Sequence, residues 1–187
     1  MLPIKEGEAH ERQKMAHLGG PGLIFVLAAG NLLHFVYDWS GQSPVVGVLA
    51  SVNESTWEHM KLLTTPWVLW SIVEFAALRR TGLPVLTARA AGLLAGLAAI
   101  PLLFYGYQGV LGRDIMWLDV AIFQIAVLLG FWVTWAMLRR WALASPVWQV
   151  AGAAVLAAVW AAFILWTFAP PDLPLFADPE TGLRGIR

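Results

Sequence analysis

The sequence predicts an all-α protein, a polytopic membrane bundle of five transmembrane helices. Three observations predict it. Of 187 residues, 59% are hydrophobic and only 13% are charged, against about 45–50% and about 25% in a soluble domain. Mean hydropathy is +0.67. Five apolar stretches approach the roughly 20 residues that a helix needs to cross a bilayer. Disorder is excluded, because it requires low hydrophobicity and high charge. The chain reads as a single integral membrane domain over residues 1–187, in which 169–187 form an extracytoplasmic tail.

The expected spans cover about 21–37, 53–78, 84–107, 115–138 and 146–168. The first follows a polar stretch carrying both charge signs and continues to His34 and Asp38. A secretory signal would instead run from a basic start into a short apolar core with a cleavage site, so this span is expected to be retained. Between it and the second lies Pro44–Ala50, apolar but too short to cross, which suggests a re-entrant turn or interfacial half-helix. Ser51-x-x-Glu54, with Asn53 available to cap, marks the start of the second span. Pro84 and Pro146 stand at helix starts, where proline is tolerated. Pro66 and Pro101 lie inside spans, a position membrane helices accept when neighbours satisfy the freed backbone. The fifth span is rich in Ala and holds Gly152, and such small residues favour close helix approach in lipid. Trp39, Trp57, Trp117, Trp141, Trp148 and Trp166 lie near span ends, as interfacial anchors do.

Positive charge orients the bundle. Lys5, Arg12, Lys14, Arg79, Arg80, Arg89, Arg139 and Arg140 gather on one side; Lys61, Arg113, Arg184 and Arg187 on the other. The first side is expected to be cytoplasmic, with the N-terminus inside and the C-terminus outside. Glu74 is expected to pair there with Arg79 and Arg80, while Asp114 is expected to cap the fourth span beside Arg113. Net charge is zero, which gives no argument for nucleic acid. There is no cysteine, so disulfides and thiolate chemistry are excluded.

Most acids, with His34 and His59, fall at the outer end. His34 and Asp38 are four apart on one helical face, with Asn31 a turn below; Ser55 and His59 share a face of the next helix. Ionisable groups within spans are costly and mark function. Mixed imidazole and carboxylate ligands suit a divalent ion, zinc first. The expected ligands are His34, Asp38, His59 and one of Glu54 or Glu58, Glu54 first, with the remaining Glu (Glu58) as proton shuttle and Ser55 bonding His59 or substrate. Asp119 and Gln124 lie deeper in the fourth span and complete the pocket. The plainer alternative is a polar network that fastens the first helix to the second. The tail, with Pro170-Pro171, Leu173-Pro174-Leu175-Phe176 and Asp178-Pro179-Glu180-Thr181-Gly182, is expected to emerge on the same side, either as an exposed tail or as a lid with Asp178 or Glu180 near the pocket.

The runs His34-Phe-Val-Tyr37-Asp38-Trp39-Ser40-Gly41, Val52-Asn53-Glu54-Ser55-Thr56-Trp57-Glu58-His59-Met60-Lys61-Leu62 and Pro170-Pro171-x-Leu-Pro174-Leu-Phe176-x-Asp178-Pro179-x-Thr181-Gly182 resemble a family of small bacterial multi-pass membrane proteins of unknown function. That resemblance implies the fold and a bacterial inner-membrane location, and it implies no activity. Ser55-xxx-His59 and Asp38 are also similar to elements of the alkaline ceramidase and progestin/adipoQ receptor superfamily, membrane hydrolases that hold zinc. The chain departs from that superfamily in its number of spans and in lacking His-xxx-His in its last helix. The expectation is a metal-dependent hydrolase acting on a membrane lipid or amphiphile. The alternatives are a component that transports an ion, proton or small molecule, or a structural subunit, as a homo-oligomer or within a membrane complex.

Overall fold

In the computed structural model, residues 6–186 are described, with side chains from Leu18 onward except that of Trp141. Lys5 and Arg187, and the side chains of Glu6, Glu8, Glu11, Arg12, Lys14 and Trp141, lie outside the described residues. The described chain is helical: α1 (Glu6–Trp39), a single turn α2 (Pro44–Gly47), α3 (Thr56–Leu78), α4 (Val85–Leu111), α5 (Met116–Leu138) and α6 (Pro146–Phe168), with 3-10 turns at Trp141–Ala144 and Pro174–Phe176. Four helical stretches are long and apolar enough to cross a membrane: Leu18–Trp39, Val85–Leu111, Met116–Leu138 and Pro146–Phe168.

α3 is as long as these but different in chemistry. It carries Glu58, Lys61 and Glu74, together with Thr56, Thr64, Thr65 and Ser71, and all seven are buried. It packs against α1, α4 and α6 and forms the centre of the bundle. A helix shielded by its neighbours need not be apolar, provided its polar groups find partners. They do. Thr64 donates to the Met60 carbonyl and Ser71 to that of Trp67, each one turn back. Thr65 donates to the Leu49 carbonyl. Lys61 Nζ pairs with Glu58 and donates to the carbonyls of Gly47 and Ala50. The apolar stretch after α1 is therefore a short helical turn fastened to α3 by a buried lysine.

Small residues set the helix spacing. A Cβ on Gly152 would meet the Leu86–Thr87 backbone at 2.5 Å, so α6 crosses α4 at that glycine. Trp67 fits between Gly92 of α4 and Gly130 of α5 and donates its indole N–H to the Arg89 carbonyl.

Several local expectations are corrected. α3 begins at Thr56, because Ser55 is its cap and accepts from the Glu58 N–H. The Asn53 side chain is already committed to a turn, accepting from the Ser55 N–H. Glu74 pairs with Arg89 of α4, 3.0 Å away, whereas Arg79 and Arg80 are exposed at the end of α3. Arg89 is thus an interior cation, lying over the rings of Trp67 and Phe131. α5 has Ile115 at its cap position, and the Ile115 N–H is taken by the Tyr107 hydroxyl, so Asp114 does not cap it. Trp39, Trp117 and Trp148 are exposed, as anchors require. Trp57 is buried and Trp166 half-buried: both belong to an aromatic cluster with Phe163 and Phe176.

The last 18 described residues fold back onto the bundle. Phe176 inserts against Trp57 and Trp166. Ala177 and Arg184 form an antiparallel bridge, and the Ile186 N–H donates to the Thr167 carbonyl. Gly182 and Gly185 sit at positive φ, which glycine adopts without steric cost.

Candidate metal centre

His34 comes from the last turns of α1 and His59 from the first turn of α3. Glu54 comes from the loop just before α3. The short connection through α2 returns the chain beside α1, and this brings the three together. His59 Nε2 lies 3.4 Å from a Glu54 carboxylate oxygen, and His34 Nε2 lies 3.8 Å from the other. The two imidazole centroids are 5.4 Å apart. One donor atom from each residue falls within 4.8 Å of the other two. The site is open: side-chain exposure is 30% at His34, 47% at Glu54 and 35% at His59.

The His59–Glu54 separation of 3.4 Å is that of two ligands on one small cation, while the wider spacings, within 4.8 Å, require the group to close slightly around it. Nitrogen and oxygen ligands at about 2.0–2.1 Å from a tetrahedral ion stand about 3.4 Å apart. Two imidazoles and one carboxylate with an open position make a ligand set that catalytic zinc uses. His59 carries the second contact such ligands need. Its Nδ1 lies 3.0 Å from the Ser55 carbonyl, so Nδ1–H donates there and Nε2 faces Glu54: it donates to the carboxylate when protonated and is the nitrogen open to an ion when it is not.

The loop is held from two sides. The Glu54 N–H donates to Asp178 Oδ2 (3.3 Å), and Asn53 Nδ2 donates to the Gly185 carbonyl (3.3 Å). The His59 contact holds the Glu54 carboxyl below the ordinary range, against the opposing effect of partial burial. At Asp178 burial pushes the carboxyl up, but backbone donors from Thr181, Glu54 and Glu180 outweigh it and the net shift is downward.

The other expected site residues fall elsewhere. Asp38 is exposed and faces Gln42, whose Nε2 lies 3.5 Å away; it is not part of the three-residue group. It follows His34 by one turn, and its side chain lies beside the turn that closes α1. Glu58 is buried in its pair with Lys61 and accepts from the Val52 N–H. The Ser55 hydroxyl caps α3, so His59 meets its carbonyl instead. Asp119 accepts from the Tyr107 hydroxyl at 2.6 Å and is not part of the three-residue group. Gln124 reaches Asn31 across the α1–α5 seam, below the group (3.4 Å). The lid alternative put Asp178 or Glu180 near this pocket, and it is Asp178 that arrives; its contact with the Glu54 N–H is one that no local spacing rule gives.

Fold and site together define an all-helical bundle with several helices able to cross a membrane and a His/Glu group at one end. The chain belongs to a family of unknown function (DUF6512), whose profile matches residues 5–186. No curated protein and no solved structure matches it significantly.

Proposed function

We propose that the protein is a polytopic membrane protein of the bacterial inner membrane whose His34, Glu54 and His59 bind a divalent cation, zinc first, for hydrolysis of a lipid or amphiphile at the outer face. α3 is the fifth span in this reading. At 23 residues and about 1.5 Å per residue it has the length to cross, and its polarity is shielded by the surrounding helices. Arg79, Arg80, Arg139 and Arg140 lie at helix ends opposite the His/Glu group, which supports a cytoplasmic N-terminus and an outer site.

The observation that carries the proposal is the convergence of two imidazole Nε2 atoms on one carboxylate, with His59 oriented from behind by the Ser55 carbonyl. A bound ion supplies Lewis acidity toward a carbonyl group and toward water. The chain's own residues hold the rest of the chemistry. The Ser55 carbonyl orients His59, Glu54 supplies the negative charge, and Asp119, held by the Tyr107 hydroxyl, is the carboxylate proposed to take or return a proton. Glu58, expected in that role, is already paired. Asp38, the counterpart suggested by similarity to the alkaline ceramidases, contributes nothing to the ligand set.

Transport has less support. The hydroxyls of Thr64 and Ser71, which a polar path along α3 would use, are engaged by their own helix. The test is elemental analysis of protein purified in mild detergent, with His59→Ala as control. The proposal expects about one equivalent of metal in the parent and a large loss in the variant. Equal metal content in the two, at equal folded fraction, overturns it.

A further inference from the structure

We infer that Asp178, at the far end of the sequence, is a positioning residue for the candidate centre: it fixes the backbone from which Glu54 reaches His34 and His59. The inference rests on the proposed metal reading for its consequence and on separate geometry for its substance.

Glu54 is the least anchored of the three donors. His34 and His59 stand on long helices, whereas Glu54 stands on a loop with its side chain about half exposed. Among the described residues its carboxylate meets only the two imidazoles. What fixes its peptide is the tail. Asp178 Oδ2 accepts from the Glu54 N–H, while Asp178 Oδ1 accepts from the N–H groups of Glu180 (2.8 Å) and Thr181 (2.9 Å). One carboxylate therefore closes the Asp-Pro-Glu-Thr-Gly turn with one oxygen and holds the loop with the other.

The tail is a firm base for this contact. Phe176 is buried between Trp57 and Trp166, two residues before Asp178. Beyond it, Asp178 N–H donates to the Leu183 carbonyl, and Arg184 pairs with Asp172 at 2.7 Å. Ile186 packs against Gly47, beside the Lys61 anchor. Asn53 Nδ2 makes a second loop-to-tail bond at Gly185. The last described segment of the chain thus braces the one ligand that the helices do not hold. Loss of such outer partners typically lowers metal affinity 10–100-fold.

Asp178→Asn separates this role from general folding. Asparagine keeps an acceptor for the turn and presents an NH₂ group to the Glu54 N–H, which it cannot accept from. Two readouts are needed: Co²⁺ affinity by absorption titration, and the nitrogen-15 shift of His59 Nε2 without metal. The expected result is Co²⁺ affinity weakened about 10-fold or more in Asp178→Asn, with a His59 shift moved toward that of Glu54→Gln. If Asp178→Asn fails to fold, the same two readouts on Asp178→Ser decide, since a serine hydroxyl can still close the turn and is too short to hold the Glu54 N–H as well. Parental affinity and a parental His59 shift in a folded variant overturn the inference. If the parent binds no Co²⁺, the metal reading fails, and the His59 shift alone decides whether Asp178 positions Glu54.

Discussion

Arg89 Nε lies 3.0 Å from Glu74 Oε2 in the interior of the bundle, with its guanidinium carbon 4.5 Å from the Trp67 ring centroid and 4.7 Å from that of Phe131. Both side chains are buried. α3 and α4 are thus joined by a charge pair whose cation is held between two aromatic faces.

Arg89→Met strands the Glu74 carboxylate. Removing one partner of a buried pair costs about 3–5 kcal/mol, whereas replacing both with apolar groups of similar volume is often neutral. The expected outcome is a large loss of stability in Arg89→Met and near-parental stability in Arg89→Met/Glu74→Leu. Unfolding in mixed detergent micelles measures both.

Lys61 holds a different part of the molecule. Its ammonium serves Glu58 and the carbonyls of Gly47 and Ala50. Lys61→Met leaves three acceptors without their donor, with an expected loss of about 3 kcal/mol or more. Amide hydrogen exchange should rise first across residues 44–52, ahead of the rest of the bundle.

Phe176→Ala removes the tail's apolar anchor from the Trp57–Trp166 cluster. Truncation of a buried phenylalanine costs about 3–5 kcal/mol. That cost falls on docking of the tail, so limited proteolysis should cleave within 170–186 while α1 to α6 stay protected. Cleavage no faster than in the parent would contradict the docking described above.

Two glycines in helices should respond in opposite directions. Gly152→Ala drives a Cβ into the Leu86–Thr87 backbone, which cannot rotate away, and should destabilise the α4–α6 contact by about 1–3 kcal/mol. Gly109→Ala meets nothing within 4 Å and gains helix propensity, so it should be neutral or stabilising by up to about 1 kcal/mol. Thermal unfolding of the two variants, side by side, tests the packing directly.

Much of the bundle was legible in the residues. Four apolar runs became helices long enough to span, near the expected bounds, because apolar length is a local property and lipid rewards it. The pairing of His34 with His59 and Glu54 was also legible, since a short connection returns the chain to its starting end. Asp38 was misplaced because helical spacing gives the face but not the height at which a partner arrives. Lys61 follows Glu58 by three residues, so their pairing is local and their shared face was legible; that the pair is buried was not. Arg89 was placed at the inner end for a related reason, since its partner Glu74 stands on another helix and is identified only by packing.

The sequence by itself determined the helical class, the apolar segments and the gathering of imidazoles and acids at one end. Period and hydropathy are carried residue by residue, and they need no knowledge of neighbours. Only the tertiary structure decided that the most polar long helix is the central one. Only it decided that the tail returns to grip the Glu54 loop, and which charges are partners. Those outcomes depend on contacts between distant segments, such as Asn53 with Gly185, 132 positions apart, where the free energy lies in fit between surfaces and is written in no single stretch of chain.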